Sequence, residues 1–308
     1  MDALAVILEA PERIALRALA LNPMGAGDVR VEIDWSGISS GTEKLLWTGL
    51  MPSFPGMGYP LVPGYESVGR IVDAGADARG RIGEWVFVPG ANCYQGARGL
   101  FGGTARTVVL PASRAIPISE SLGRDGILIA LAATAHHAIA IGGVPDLVIG
   151  HGILGRLIAR ISIACGGDAP VVWETNPGRR DGFGYPVIDP ADDARRDYPS
   201  ICDASGAPDV LDIAFSRLGK GGSVVLAGFY DRLSFDFPPA FMRQATMRIA
   251  AEFTAADTAA TLDLIDTGLL ELDGLISHAR PAAEALDAYP QAFSDPECLK
   301  MVLDWRQI

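Results

Sequence analysis

Cysteine is scarce in this chain: four in 308 residues, at positions 93, 165, 202 and 298, with no Cys-x-x-Cys pair. That spacing excludes a disulfide framework and a zinc knuckle. Basic residues are outnumbered, 25 Lys and Arg against 37 Asp and Glu, for a net charge of −12. A surface of that sign excludes non-specific nucleic-acid binding. There is no low-complexity tract and no internal repeat. With 49% apolar and 20% charged residues, the composition excludes a disordered chain. The first residues, "MDALAVILEAPERIALRALA", lack the basic start and cleavage site of a signal peptide. Charge is missing altogether from Gly126 to Pro145, "GILIALAATAHHAIAIGGVP". The length approaches a membrane span. His136 and His137 sit in its middle, however, and Gly-Gly closes it before an apolar strand. It reads as a buried helix inside a soluble, cytoplasmic protein with no integral membrane span.

What is present changes rhythm along the chain. The first ~120 residues show alternating or apolar runs at Ala3–Leu8, Val29–Asp34, Val68–Asp73, Trp85–Pro89 and Ala105–Leu110, separated by Gly and Pro. From 122 to 253, helical stretches alternate with short apolar strands: "DLVIG", "PVVWE", "YPVID", "SICDAS" and "SVVLAG". That alternation predicts a parallel sheet covered by helices. Beyond 254 come a helix, the strand-like "LISHARP" and another helix. The expected division is a β-rich domain from 1–121 with 254–308, and a dinucleotide-binding domain over 122–253.

Gly150, Gly152 and Gly155 form G-x-G-x-x-G in "DLVIGHGILGRLIARISIACG". The pattern alone is weak in a chain with 36 glycines. Its context gives it weight: an apolar strand runs into Gly150 and an amphipathic helix leaves after it. Gly150 permits the turn, Gly152 lets the backbone approach a pyrophosphate, and Gly155 lets the helix pack on the strand. Ile153 and Leu154 open the helix, whose free N–H groups face the phosphates. The next strand ends at Glu174, placed to accept both hydroxyls of an adenosine ribose. Arg179 and Arg180 follow and could meet a 2′-phosphate, but Glu174 would repel it. NAD is therefore the expected cofactor, with Thr134 and Gly228 as further cofactor neighbours.

Together with "GISSGTEK" (37–44) and "PGYESVGRIVDAG" (63–75), this order of parts resembles the medium-chain dehydrogenase/reductase family across nearly the whole chain. The resemblance implies an α/β protein with an N-terminal β-rich GroES-like domain and a Rossmann doubly wound parallel sheet. Within the family, "SGTEKLLWTGLMPSFPGMGYPLVPGYESVG" resembles a branch that oxidises the hydroxyethyl side chain of a bacteriochlorophyllide to an acetyl group in photosynthetic bacteria. A tetrapyrrole substrate, NAD as hydride acceptor, and a place at the face of the photosynthetic membrane are what that likeness implies. It leaves room for a homo-oligomer.

Zinc enzymes of the family take their ligands from positions that fall here on Ser39, Tyr65 and near Ala130, with the neighbouring acid kept as Glu66. Those residues make poor zinc ligands, so no metal is expected. The candidates for handling the alcohol oxygen and proton are Tyr65, Ser39, Thr42, His136 and His137. Adjacent histidines on a helix diverge by about 100°, which favours one of the two at most. The loop at 45–60 offers Trp47, Met51, Phe54 and Tyr59 as a wall for a flat apolar ring. Glu43 and Lys44 read as an ion pair bracing the turn. The alternatives are a zinc-free reductase of a quinone or enone, and a dinucleotide-binding protein without catalysis.

Overall fold

The computed structural model describes residues 1–181, 184–230 and 232–308. Two compact units emerge, one from Met1–Ala130 with Leu272–Ile308 and one from Leu131–Glu271. The divisions fall after Ala130 and Glu271, whereas the change of rhythm in the sequence falls at 121/122 and 253/254. Helix Ala255–Asp266 thus lies in the second unit.

The discontinuous first unit is β-rich. Its central strand, Asp28–Ile38, buries Val29, Val31 and Ile33 completely and alternates them with partly exposed residues. That is the period of a strand with one face on a core. It pairs antiparallel with Ser67–Ala74, with Thr107–Pro111 along its first half, and with Met301–Asp304 along Trp35–Ile38. These strands belong to a seven-stranded sheet, and a four-stranded sheet is built on Asp2–Ala10. Strand Arg13–Ala20, paired with Asp2–Ala10, had no clear signal, because none of its residues is buried.

The charge-free stretch is helical, as expected, but in two parts. Glu120–Leu128 is a 3₁₀ segment kinked at Gly123, and Ile129–Gly142 is an α-helix. Among the described residues Glu120–Gly142 is the one helical segment long and apolar enough to cross a membrane, and 56% of its most apolar window is buried in the protein.

The second unit holds a six-stranded sheet in the order Val187–Ile188, Val171–Trp173, Leu147–Ile149, Tyr198–Asp203, Leu218–Leu226, Thr246–Ile249. Every pairing is parallel. Parallel neighbours need crossover connections, and helices Ile153–Ala164, Val210–Arg217 and Phe237–Arg243 supply them. The chain builds outward from Leu147–Ile149 on one side and then returns to build on the other. That reversal opens a crevice at the carboxyl ends of the central strands, where such sheets bind ligands.

Candidate active site

In the second unit, strand Leu147–Ile149 ends at Gly150, which has φ +97°. That conformation suits glycine, and a Cβ there would lie 3.0 Å from the Ser205 backbone. At Gly155 a Cβ would come within 1.9 Å of the Gly150 carbonyl oxygen, so the turn and helix are in direct contact. Around Gly152 nothing lies within 4 Å of where a Cβ would stand. The open face is therefore at the one glycine expected to meet a pyrophosphate. Helix Ile153–Ala164 starts there, so the N–H groups of Ile153 and Leu154 are among those no helical carbonyl can satisfy. This turn fits a dinucleotide.

Glu174 follows strand Val171–Trp173. One of its carboxylate oxygens accepts the His151 N–H at 3.3 Å and the other the Asn176 N–H at 2.8 Å. Arg180 is committed elsewhere: it donates to the Glu174 and Thr175 carbonyls and pairs with Asp189. Gly228 lies just past strand Leu218–Leu226, where a Cβ would be 2.9 Å from the Gly206 nitrogen. Thr134 is partly buried on helix Ile129–Gly142.

His136 and His137 do not diverge to separate tasks. Their Nδ1 atoms meet the two carboxylate oxygens of Asp257 at 2.9 and 3.0 Å. Asp257 also closes the capping box of helix Ala255–Asp266 with Thr254. Burial works against the carboxylate, yet hydrogen bonds from Thr254 and both imidazoles hold its pKa well below the ordinary range. Both histidines thus share one partner that lies 121 and 120 positions away, a contact that no local pattern in the sequence announces.

In the first unit, the central strand runs into the turn at Gly37–Gly41 and then helix Thr42–Thr48. Ser39 Oγ and Tyr65 Oη lie 2.7 Å apart, with Thr42 Oγ1 3.4 Å from the phenol oxygen. The Tyr65 ring meets Phe101 edge-on at 5.1 Å. Burial first, then the charge of Glu66, pushes the phenol far above its usual pKa. Tyr65 is thus a phenol at neutral pH, suited to donate a hydrogen bond and poor as a base.

Glu43 makes no ion pair with Lys44. It is fully buried, accepts the Ser39 N–H at 3.2 Å and the Tyr289 O–H at 2.7 Å, and burial raises its pKa to about 7. Lys44 instead donates to the Phe293 carbonyl at 3.2 Å. The buried cation is Lys300, paired with Glu66. A Cβ on Gly37 would lie 2.3 Å from the Glu66 carboxylate and 3.0 Å from Lys300, which explains the glycine. Sequence reasoning missed Lys300 and Tyr289, since neither lies near a motif.

Of the loop at 45–60, Met51 is buried with Leu8, Leu46 and Leu61, and Trp47 and Tyr59 pack on that small core. Phe54 and Leu50 face outward, 37% and 71% exposed. Ser39 and Tyr65 are neutral hydroxyls bonded to each other, and Ala130 offers no side-chain donor, so the family's zinc positions do not fit zinc. Among the described residues no other group of three His, Cys, Asp or Glu is placed to hold a metal ion.

Comparison with known proteins agrees with this architecture. Residues 25–120 match the alcohol dehydrogenase GroES-like domain. The chain is 56% identical over 311 residues to a 2-desacetyl-2-hydroxyethyl bacteriochlorophyllide A dehydrogenase of Rhodobacter capsulatus, covering 99% of each. It is 56% identical over 315 residues to the enzyme of that name from Cereibacter sphaeroides, again covering 99% of each. Among solved structures it resembles a short chain alcohol dehydrogenase from E. coli CFT073 complexed with NADH, at TM-score 0.85, 20% identity and 99% coverage of both chains. A zinc-binding dehydrogenase of Sinorhizobium meliloti 1021 bound to NADP is similar at TM-score 0.83 and 20% identity, covering 99% of this chain and 100% of that one. The chain belongs to the medium-chain dehydrogenase/reductase family, in the group that includes the two bacteriochlorophyllide dehydrogenases.

Proposed function

We propose that this protein oxidises the hydroxyethyl side chain of a bacteriochlorophyllide to an acetyl group, with NAD⁺ and without catalytic zinc. The observation that carries the reading is the 56% identity, over essentially the whole chain, to two dehydrogenases named for that pigment. Nothing in the site favours a quinone or enone reductase over it. The carbinol carbon gives up a hydride and its hydroxyl a proton, yielding the ketone, NADH and H⁺. Bound NAD⁺ supplies the hydride acceptor.

The chain's own part is to hold the oxygen. The Ser39 and Tyr65 hydroxyls are 2.7 Å apart; in this reading Ser39 is the donor of that bond, and the Tyr65 O–H donates to the substrate oxygen as negative charge builds there. A preorganised donor of that kind does electrostatically what a Lewis acid does in the zinc enzymes. The conjugated macrocycle helps from the other side, sharing the positive charge that develops at carbon as hydride departs. Phe54 and Leu50 are the exposed apolar residues of the 45–60 loop that suit its ring face.

A preference for NAD over NADP is supported by the carboxylate of Glu174 at the end of its strand, which would repel a 2′-phosphate, and by Arg180 being already committed to Glu174, Thr175 and Asp189. Mixing purified protein with NAD⁺ and the hydroxyethyl pigment should shift the pigment's absorption to that of the acetyl form as NADH appears. No change in either chromophore would end the proposal. Metal analysis of the same active preparation should find zinc well below stoichiometric, and a stoichiometric zinc that tracks activity would overturn the metal-free part.

A further inference from the structure

His151 lies between the first two glycines of the fingerprint and is wholly buried. A small residue would satisfy the turn, so an imidazole here needs a reason. Its Nδ1 is 2.6 Å from the Arg179 carbonyl oxygen, and its Nε2 is 2.9 Å from the Tyr185 hydroxyl. A carbonyl can only accept, so Nδ1 carries the proton and Nε2 accepts from Tyr185. The Tyr185 ring also meets the imidazole edge-on at 5.6 Å. Arg156 reinforces the join by donating to the carbonyls of both His151 and Arg179. Burial, aided by nearby Arg156 and Arg160, lowers the His151 pKa to about 4, although the Arg179 carbonyl and Glu174 oppose it.

The two ends of this contact have different roles in the proposed cofactor site. One is the turn expected to receive the pyrophosphate. The other is the segment after Glu174, which carries Arg179 and Arg180 past the adenosine ribose. We propose that His151 is a specificity-determining positioning residue, a neutral latch that pins the segment after Glu174 to the glycine turn and so holds the ribose pocket in the shape that accepts NAD and refuses NADP. The inference rests on the cofactor reading above. It goes beyond that reading by locating selectivity in a wholly buried side chain rather than in Glu174 itself.

The test measures NADH and NADPH binding by fluorescence titration in the wild type and in His151→Ala, His151→Asn and Tyr185→Phe. Asparagine places an amide N–H close to where Nδ1–H stands, so it can keep the Arg179 bond. His151→Ala should weaken NADH at least ~10-fold, the worth of one lost buried hydrogen bond, while NADPH weakens less or tightens. His151→Asn should restore most of the preference, and Tyr185→Phe should erode it part way. Equal losses for both nucleotides would overturn the latch and leave a merely structural histidine. A wild type without NADH preference would overturn the cofactor reading instead. If His151→Ala does not fold, Tyr185→Phe and nitrogen NMR of the wild-type imidazole without nucleotide still decide. The Nδ1–H tautomer, uncharged down to about pH 4, supports the latch. An Nε2–H tautomer overturns it, because the Arg179 carbonyl would then have no proton from the ring.

Discussion

Replacing Tyr65 by Phe removes one oxygen and leaves the ring against Phe101. Turnover should fall ~10²–10³-fold, the usual cost of one preorganised donor to a developing oxyanion. NADH affinity should not change. Steady-state kinetics beside a binding titration checks both, and wild-type turnover in Tyr65→Phe would remove the phenol from the mechanism. At the cofactor, Glu174→Ala should weaken NADH by on the order of 1.5–3 kcal/mol per charged hydrogen bond lost. The same change should narrow the gap to NADPH, because the repelling charge is gone. Unchanged affinity for both would show that the carboxylate serves only its two backbone contacts, His151 and Asn176. Glu174 was legible as a candidate from its offset past the glycine turn, and Ser39 and Tyr65 only through the family resemblance, which sets the zinc-ligand positions on them. Glu43 was legible as a residue but not as an environment. Its partner Tyr289 lies 246 positions away, and no local pattern announces that contact.

Helix Ala255–Asp266 starts from a capping box whose acid, Asp257, also receives two imidazoles. Asp257→Ala should therefore cost more than the ~1 kcal/mol of an ordinary cap, since two buried-side hydrogen bonds go with it. We expect ~2–4 kcal/mol in a urea melt, with the loss concentrated in the second unit as read by amide exchange. A loss under ~1 kcal/mol would mean the histidines find water instead. The periodic elements were the easy ones to read. Strand Asp28–Ile38 alternates because one of its faces lies on a core, and the central parallel strand Leu147–Ile149 is a continuous apolar run because it is buried on both faces. Strand Arg13–Ala20 is neither, being half exposed throughout, so its sequence carries no period to find. The 3₁₀ segment Glu120–Leu128 was hidden for a different reason. Composition reports burial, and helix type depends on a kink at Gly123.

The first unit carries two fully buried carboxylates, Glu43 and Glu66, and one buried lysine, Lys300. Lys300 pairs with Glu66, which leaves Glu43 with neutral partners. Its pKa is raised from 4.5 to about 7 in the folded protein, chiefly by burial. A raised acid binds its proton more tightly when folded, so its stabilising contribution is complete below pH 4.5 and is lost as pH rises to about 7. Between pH 5 and pH 8 the wild type should lose on the order of 1–3 kcal/mol more than Glu43→Gln does. Denaturant melts of both proteins across that range test it, and parallel curves would mean Glu43 ionises normally. The order of synthesis adds a further demand. The second unit is a single run of chain, whereas the first is completed only when Leu272–Ile308 arrives. At ~5–20 residues per second, the nascent β-rich half waits roughly ten to thirty seconds for its last strand. Through that interval Gly37 has no Lys300 beside it and Glu66 has no cation. Until the last segment arrives, Glu66 lacks Lys300 and Glu43 lacks Tyr289, so the nascent half-domain must keep both acids wet or protonated.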